Sequence, residues 1–132
     1  MEKKARILLV DDDADFVDSI KTVLESKSYE VIVAGEGDEG LRRAREENPD
    51  LILMDVIMPI KDGFTAAEQL KKDPQLKKIP TLMLTAFASK RGGSSIPVSR
   101  GFTLEVDDYI DKPVSPQELL AKVEKHLKKA GL

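Results

Sequence analysis

The chain has 132 residues, 41% of them hydrophobic and 34% charged, a length and balance that suit one globular domain with its own buried core. It has no cysteine, which excludes disulfides and thiolate metal sites. With 21 basic side chains against 24 acidic ones the net charge is -3, which argues against direct nucleic-acid binding. No apolar run approaches the roughly 18 residues of a membrane span. The N-terminus lacks the apolar region and cleavage site of a secretory signal, so the cytoplasm is the expected location.

Apolar runs alternate with amphipathic segments along the whole length. Ala5 to Val10 is a strand. Ala14 to Ser26 carries Phe16, Val17, Ile20, Val23 and Leu24 at helical spacing, with Asp13 as N-cap. Tyr29 to Ala34 reads as a second strand. Asp38 to Glu47 is a charged helix with Leu41 and Ala44 inward, capped by Asp38 and stopped by Asn48-Pro49. Leu51 to Met54 is a third strand, apolar at every position, and Phe64 to Lys72 is a helix ended by Asp73-Pro74. Thr81 to Leu84 and Asp108 to Ile110 are the fourth and fifth strands. Ser115 to Lys129 is the final helix, with Leu119, Leu120, Val123 and Leu127 on one face. Ser115 caps it, Pro116 takes the first helical position, and Glu118 is placed to complete a capping box. His126, the single histidine, falls on the polar side, where it reads as a solvated residue near a helix C-terminus.

This alternation predicts an α/β domain with a parallel sheet covered by helices on both faces. Strands without polar alternation are the kind buried on both sides. In such sheets the reactive site lies beyond the carboxyl ends of the strands. Strand one ends in Asp11-Asp12-Asp13, strand three in Asp55 and strand four in Thr85, and strand five runs into Asp111-Lys112-Pro113. Asp11, Asp12, Asp55, Thr85 and Lys112 are therefore expected to converge at one edge. Clustered carboxylates repel one another, and a divalent cation relieves that repulsion. An all-oxygen donor set favours Mg²⁺, with Mn²⁺ as the alternative, over zinc or copper. Lys112 offers a compact positive charge for phosphoryl oxygens and Thr85 a hydroxyl donor. An Asp carboxylate can be the nucleophile of phosphoryl transfer, forming an aspartyl phosphate.

The stretches Ile7-Leu8-Leu9-Val10-Asp11-Asp12, Leu51 to Gly63 with Asp55-Val56-Ile57-Met58-Pro59, Pro80 to Thr85-Ala86, and Asp107-Asp108-Tyr109-Ile110-Asp111-Lys112-Pro113 together resemble, in order, the receiver domain of two-component response regulators. That resemblance implies a flavodoxin-like, doubly wound sheet of five parallel strands in the order 2-1-3-4-5. It implies that Asp55 accepts phosphate from the phosphohistidine of a sensor histidine kinase or a histidine phosphotransfer protein. Asp11, Asp12 and Asp55 would hold the metal together with the backbone carbonyl of Ile57. Thr85, Ala86 and Lys112 would bind the phosphoryl group, Thr85 and Tyr109 would form the switch pair, and Pro113 would follow a cis peptide bond.

Each piece also has a plainer reading. Asp11-Asp12-Asp13 and Asp55 alone read as turn or cap residues, a reading Asp13 keeps; Tyr109 alone reads as packing. Gly35-Glu36-Gly37-Asp38-Glu39-Gly40 fits a dinucleotide fingerprint, but three acidic side chains stand where a pyrophosphate would sit. A haloacid-dehalogenase-type phosphatase would need a second acid at Ile57, and the remaining rival is a degenerate receiver that only binds protein. Between strands four and five, Gly92-Gly93 and Pro97 predict an irregular or displaced fourth helix across residues 88 to 106, with Glu105-Val106 where Gly-Ala is common. Val114 replaces a common aromatic. The chain stops soon after the last helix; taken as the whole protein, residues 1-132 with no output domain are expected to act as a stand-alone receiver toward a target protein the sequence does not identify, and the sequence does not decide whether an output domain is missing.

Overall fold

The computed structural model describes residues 5–55, 63–85 and 106–131. Five strands, β1 (Arg6–Val10), β2 (Glu30–Ala34), β3 (Leu51–Asp55), β4 (Thr81–Thr85) and β5 (Asp108–Asp111), form one sheet in the order β2-β1-β3-β4-β5, with every pair parallel. Four helices are described: α1 (Ala14–Glu25), α2 (Gly37–Glu47), α3 (Gly63–Lys72) and α4 (Pro116–Lys129). The expected fold class and strand order are therefore those observed. The stretch expected to be irregular lies outside the described residues, save for Val106, which packs on the core.

Both faces of the sheet are buried because side chains alternate along every strand. Leu8, Val10, Ile52, Met54 and Met83 join α2 and α3 residues such as Leu41, Ala44, Ala66 and Leu70 on one face. Ile7, Leu9, Leu51, Leu53, Leu82, Leu84 and Ile110 join Val17, Ile20, Leu24, Leu119, Val123 and Leu127 of α1 and α4 on the other. An all-apolar strand such as Leu51 to Met54 thus serves two cores at once.

Local signals explain the helix ends and correct two sequence expectations. Asp13 caps α1, its Oδ1 accepting from the Asp15 and Phe16 amides. The cap of α2 is Glu36 rather than Asp38: the helix begins earlier, at Gly37, and the extended Glu36 accepts from the Asp38 and Glu39 amides. In return Glu39 Oε1 accepts from the Gly35 amide at 2.8 Å. Asn48 ends α2 in the left-handed conformation at φ 49°. Ser115 caps α4, but the Glu118 carboxylate turns to Lys122 at 3.6 Å instead of closing a capping box. The glycine-rich turn has a packing role at Gly40. A Cβ there would lie 2.9 Å from Val10 Cγ2, so the missing side chain lets α2 press onto β1.

Candidate functional site

The site is assembled from backbone that continues the sheet past its strands. The Asp11 amide donates to Ala34 O at 3.1 Å, extending the β1–β2 ladder by one residue. Asp55 is the last residue of β3 and stands opposite Leu84. The Lys112 amide donates to Thr85 O at 2.8 Å, extending β4–β5 in the same way. The Lys112–Pro113 peptide is cis, the conformation expected for that position. Three ladders of the one sheet therefore deliver Asp11, Asp55 and Lys112 to one edge, and Asp12 follows at the surface.

The carboxylates of Asp11, Asp12 and Asp55 each offer an oxygen within 4.8 Å of the others. Asp11 is 2% exposed and Asp55 6%, whereas Asp12 is open to solvent. Lys112 Nζ bridges the two buried acids, 3.0 Å from Asp11 Oδ2 and 3.1 Å from Asp55 Oδ1. The second oxygen of Asp11 accepts from the Asp13 amide at 2.9 Å, which fixes the carboxylate from both sides. From α1, the Phe16 ring covers the ammonium, its centroid 4.3 Å from Lys112 Nζ.

Burial, reinforced by the Asp11 charge, pushes the Asp55 carboxyl up to about 6 against the pull of Lys112; Asp12 adds to the rise. Burial alone would lower Lys112, but its hydrogen bonds and charge pairing with Asp11 and Asp55 outweigh that and hold the ammonium above its ordinary range. Three carboxylates against this ammonium leave an excess of negative charge in a largely dry place. All donors are oxygen. Such a set fits a hard divalent cation that keeps some of its water and takes further oxygens from a phosphate.

Thr85 is buried at 1% exposure and closes β4. Tyr109 pairs in register with Met83, two residues before Thr85, so Tyr109 and Thr85 fall on the same α2–α3 face as diagonal neighbours. Lys112 and Phe16 belong to the opposite, α1–α4 side of the same edge. Ile57 and Ala86, the other expected contributors, lie outside the described residues.

Two features escape a reading of the sequence. One is Phe16, whose contact with Lys112 joins residues 96 positions apart (112 minus 16). The other corrects the expectation for His126. It is buried, not solvated, at 5% exposure, and its Nε2 lies 2.9 Å from Asp108 Oδ2. Asp108 Oδ1 accepts from the Tyr109 amide and from Lys122 Nζ, which also donates to Tyr109 O at 2.6 Å. The spacing Leu119, Val123, His126 is itself helical, so the histidine continues the buried stripe; only its polarity argued for solvent.

Known proteins share this fold. The family model for the response regulator receiver domain matches residues 7–124. The alkaline phosphatase synthesis transcriptional regulatory protein PhoP of Bacillus subtilis is 39% identical over 132 residues, all of this chain and 51% of that protein. A CheY-like response regulator receiver domain protein from Methanospirillum hungatei JF-1 superposes with a TM-score of 0.86 at 32% identity, covering 98% of each chain. The receiver domain of a sensor histidine kinase from Pseudomonas aeruginosa PAO1, whose structure holds a magnesium ion coordinated in its active-site cleft, superposes with a TM-score of 0.84 at 25% identity, covering 96% of this chain and 99% of that one. The chain spans about half the length of the curated relatives it matches.

Proposed function

Because this chain belongs to the response regulator receiver domain family, we propose that Asp55 is its phosphoacceptor and that phosphate arrives, in a Mg²⁺-dependent reaction, from the phosphohistidine of a sensor histidine kinase or histidine phosphotransfer protein. The observation that carries the proposal is the cluster of Asp11, Asp12 and Asp55 with the Lys112 ammonium between its two buried members. An oxygen of Asp55 attacks the phosphorus; the new O–P bond forms as the P–N bond breaks, and its electron pair returns to the imidazole nitrogen. Lys112 then exchanges part of its pairing with Asp55 for a phosphoryl oxygen, and the Thr85 hydroxyl donates to another. Asp11, Asp12 and the Ile57 carbonyl, with Asp55, would hold the metal, which when bound supplies charge neutralisation for the phosphoryl oxygens.

The phosphoryl group carries roughly -1.5 to -2 charge, by analogy with other phosphorylated side chains, in place of the single charge of the free carboxylate. New bonds from Thr85 and Lys112 favour an alternative surface already sampled without phosphate, with Tyr109 following Thr85 on their shared face of the sheet. The chain acts in this reading as a cytoplasmic signalling domain rather than as an enzyme with a separate substrate. Among the described residues no helix is long and apolar enough to cross a membrane.

The test is incubation with acetyl phosphate and Mg²⁺, followed by intact-mass measurement. Wild type gains one phosphoryl group per chain and Asp55→Asn gains none. A wild-type chain that gains nothing is a binding module only, and sustained turnover of phosphomonoesters makes it a phosphatase.

A further inference from the structure

We infer that Phe16 is a positioning residue for this phosphoryl chemistry, its ring holding the Lys112 ammonium between Asp11 and Asp55. The inference rests on the reaction proposed above, but the geometry stands apart from it. Lys112 has a flexible stem, and a lysine ammonium is a strongly hydrated charge. Here that ammonium has carboxylates at 3.0 and 3.1 Å and an aromatic face at 4.3 Å. The ring replaces water on its side with the negative face of a quadrupole, which attracts the cation without competing for its N–H donors.

Phe16 is itself held in place. Its amide donates to Asp13 Oδ1 at 3.2 Å as part of the α1 cap. Its half-buried ring packs against the core formed by Val17, Ile20 and neighbouring residues. Asp13 in turn donates its own amide to Asp11. One short segment, residues 11 to 16, therefore fixes a carboxylate partner of Lys112 and its aromatic cover together. Removing the ring frees the ammonium to swing toward solvent or to remain on Asp11. Either movement takes it from the place where a phosphoryl oxygen on Asp55 would need it. The hold of an exposed to partly buried cation–π contact corresponds to roughly two- to fivefold in a rate.

The variants Phe16→Leu, which keeps apolar bulk without a π face, and Phe16→Tyr, which keeps the face, separate positioning from packing. The first readout is the NMR shift of the Lys112 ε-methylene protons in the chain without phosphodonor. The ring should move them upfield in wild type and in Phe16→Tyr, and the shift should vanish in Phe16→Leu. The second readout is labelling by acetyl phosphate. Phe16→Leu should be about two- to fivefold slower, with the Mg²⁺ concentration for half-maximal rate unchanged and with recovery in Phe16→Tyr. Unchanged Lys112 shifts in Phe16→Leu overturn the inference, as does an unchanged rate or a slowing that Phe16→Tyr shares. A wild type that takes no phosphate overturns the proposed reaction instead, while the proton shifts still decide whether Phe16 holds Lys112.

Discussion

His126 Nε2 lies 2.9 Å from Asp108 Oδ2, in a place where the imidazole is only 5% exposed. The contact ties the last turns of α4 to the first residue of β5. Lys122 reinforces it from one turn earlier, reaching both the Asp108 carboxylate and the Tyr109 carbonyl. The strand that leads to Lys112 is thus anchored at its start by polar bonds and at its end by the Thr85 carbonyl.

Removing that anchor should destabilise the fold without touching the acidic cluster. His126→Ala should lower unfolding stability by about 1–3 kcal/mol, through a lost bond to a charged group and a lost buried ring. Burial alone would raise the Asp108 carboxyl, but the His126 bond, the Tyr109 amide and Lys122 outweigh it and hold it below its ordinary 3.8. A carboxyl depressed in the folded state contributes stability that is full above the unfolded value and lost as pH falls through the folded one. Urea titrations of wild type and Asp108→Asn should therefore differ at neutral pH and converge as pH drops below 3.8.

Asp55 has the opposite sign. Its carboxyl sits at about 6 in the folded chain, raised first by burial and then by Asp11, against an ordinary 3.8. The folded state therefore holds a proton that the unfolded state has released, and stability falls as pH rises through that window. In EDTA, Asp55→Asn should be more stable than wild type by an amount on the order of 1–3 kcal/mol at pH 7. The gain should shrink as pH falls and approach zero below about pH 3, where both states of Asp55 are protonated. A gain that stays constant across this range would contradict the assigned origin.

A divalent cation at the cluster should stabilise the folded chain by mass action, by about 2.7 kcal/mol at a hundred times its dissociation constant. Mg²⁺ should raise the thermal midpoint of wild type, and EDTA should reverse the rise. Asp12→Asn removes the exposed carboxylate of the three and should leave the apo midpoint nearly unchanged while blunting the Mg²⁺ response. Differential scanning calorimetry with and without Mg²⁺ reads both effects.

Gly40→Ala tests the close approach of α2 to β1. The added Cβ would meet Val10 Cγ2 at 2.9 Å and Cγ1 at 3.1 Å, and a β-branched side chain in a strand has little freedom to yield. Despite the better helix propensity of alanine, the substitution should cost about 1–3 kcal/mol, as overpacking does. Gly40→Ala with Val10→Ala should recover part of the loss in a double-mutant cycle.

The fold was legible in the sequence because each element carries its own periodicity. Apolar runs such as Leu51 to Met54 announce strands buried on both faces, and Asp13, Asn48 and Ser115 mark helix ends by local bonds that need no distant partner. Element ends shifted by a residue where ladder hydrogen bonds carried a strand past its apolar run, as at Asp55, Thr85 and Asp111. Asp11, Asp12, Asp55 and Lys112 could be read as neighbours because a parallel sheet brings all its carboxyl ends to one edge.

What the linear order could not determine were contacts that depend on how a helix face meets the sheet. Polarity placed His126 in water, yet helix α4 lies against β5 so closely that Asp108 replaces the water. Phe16 read as one more apolar residue of α1, and its position over Lys112 emerges only once α1 and the end of β5 are brought together in the fold. Local bonding and periodicity determine the elements and the edge where they end. Which side chains share a few ångströms at that edge, and so set the charge of Asp55, is decided by packing between segments a hundred residues apart.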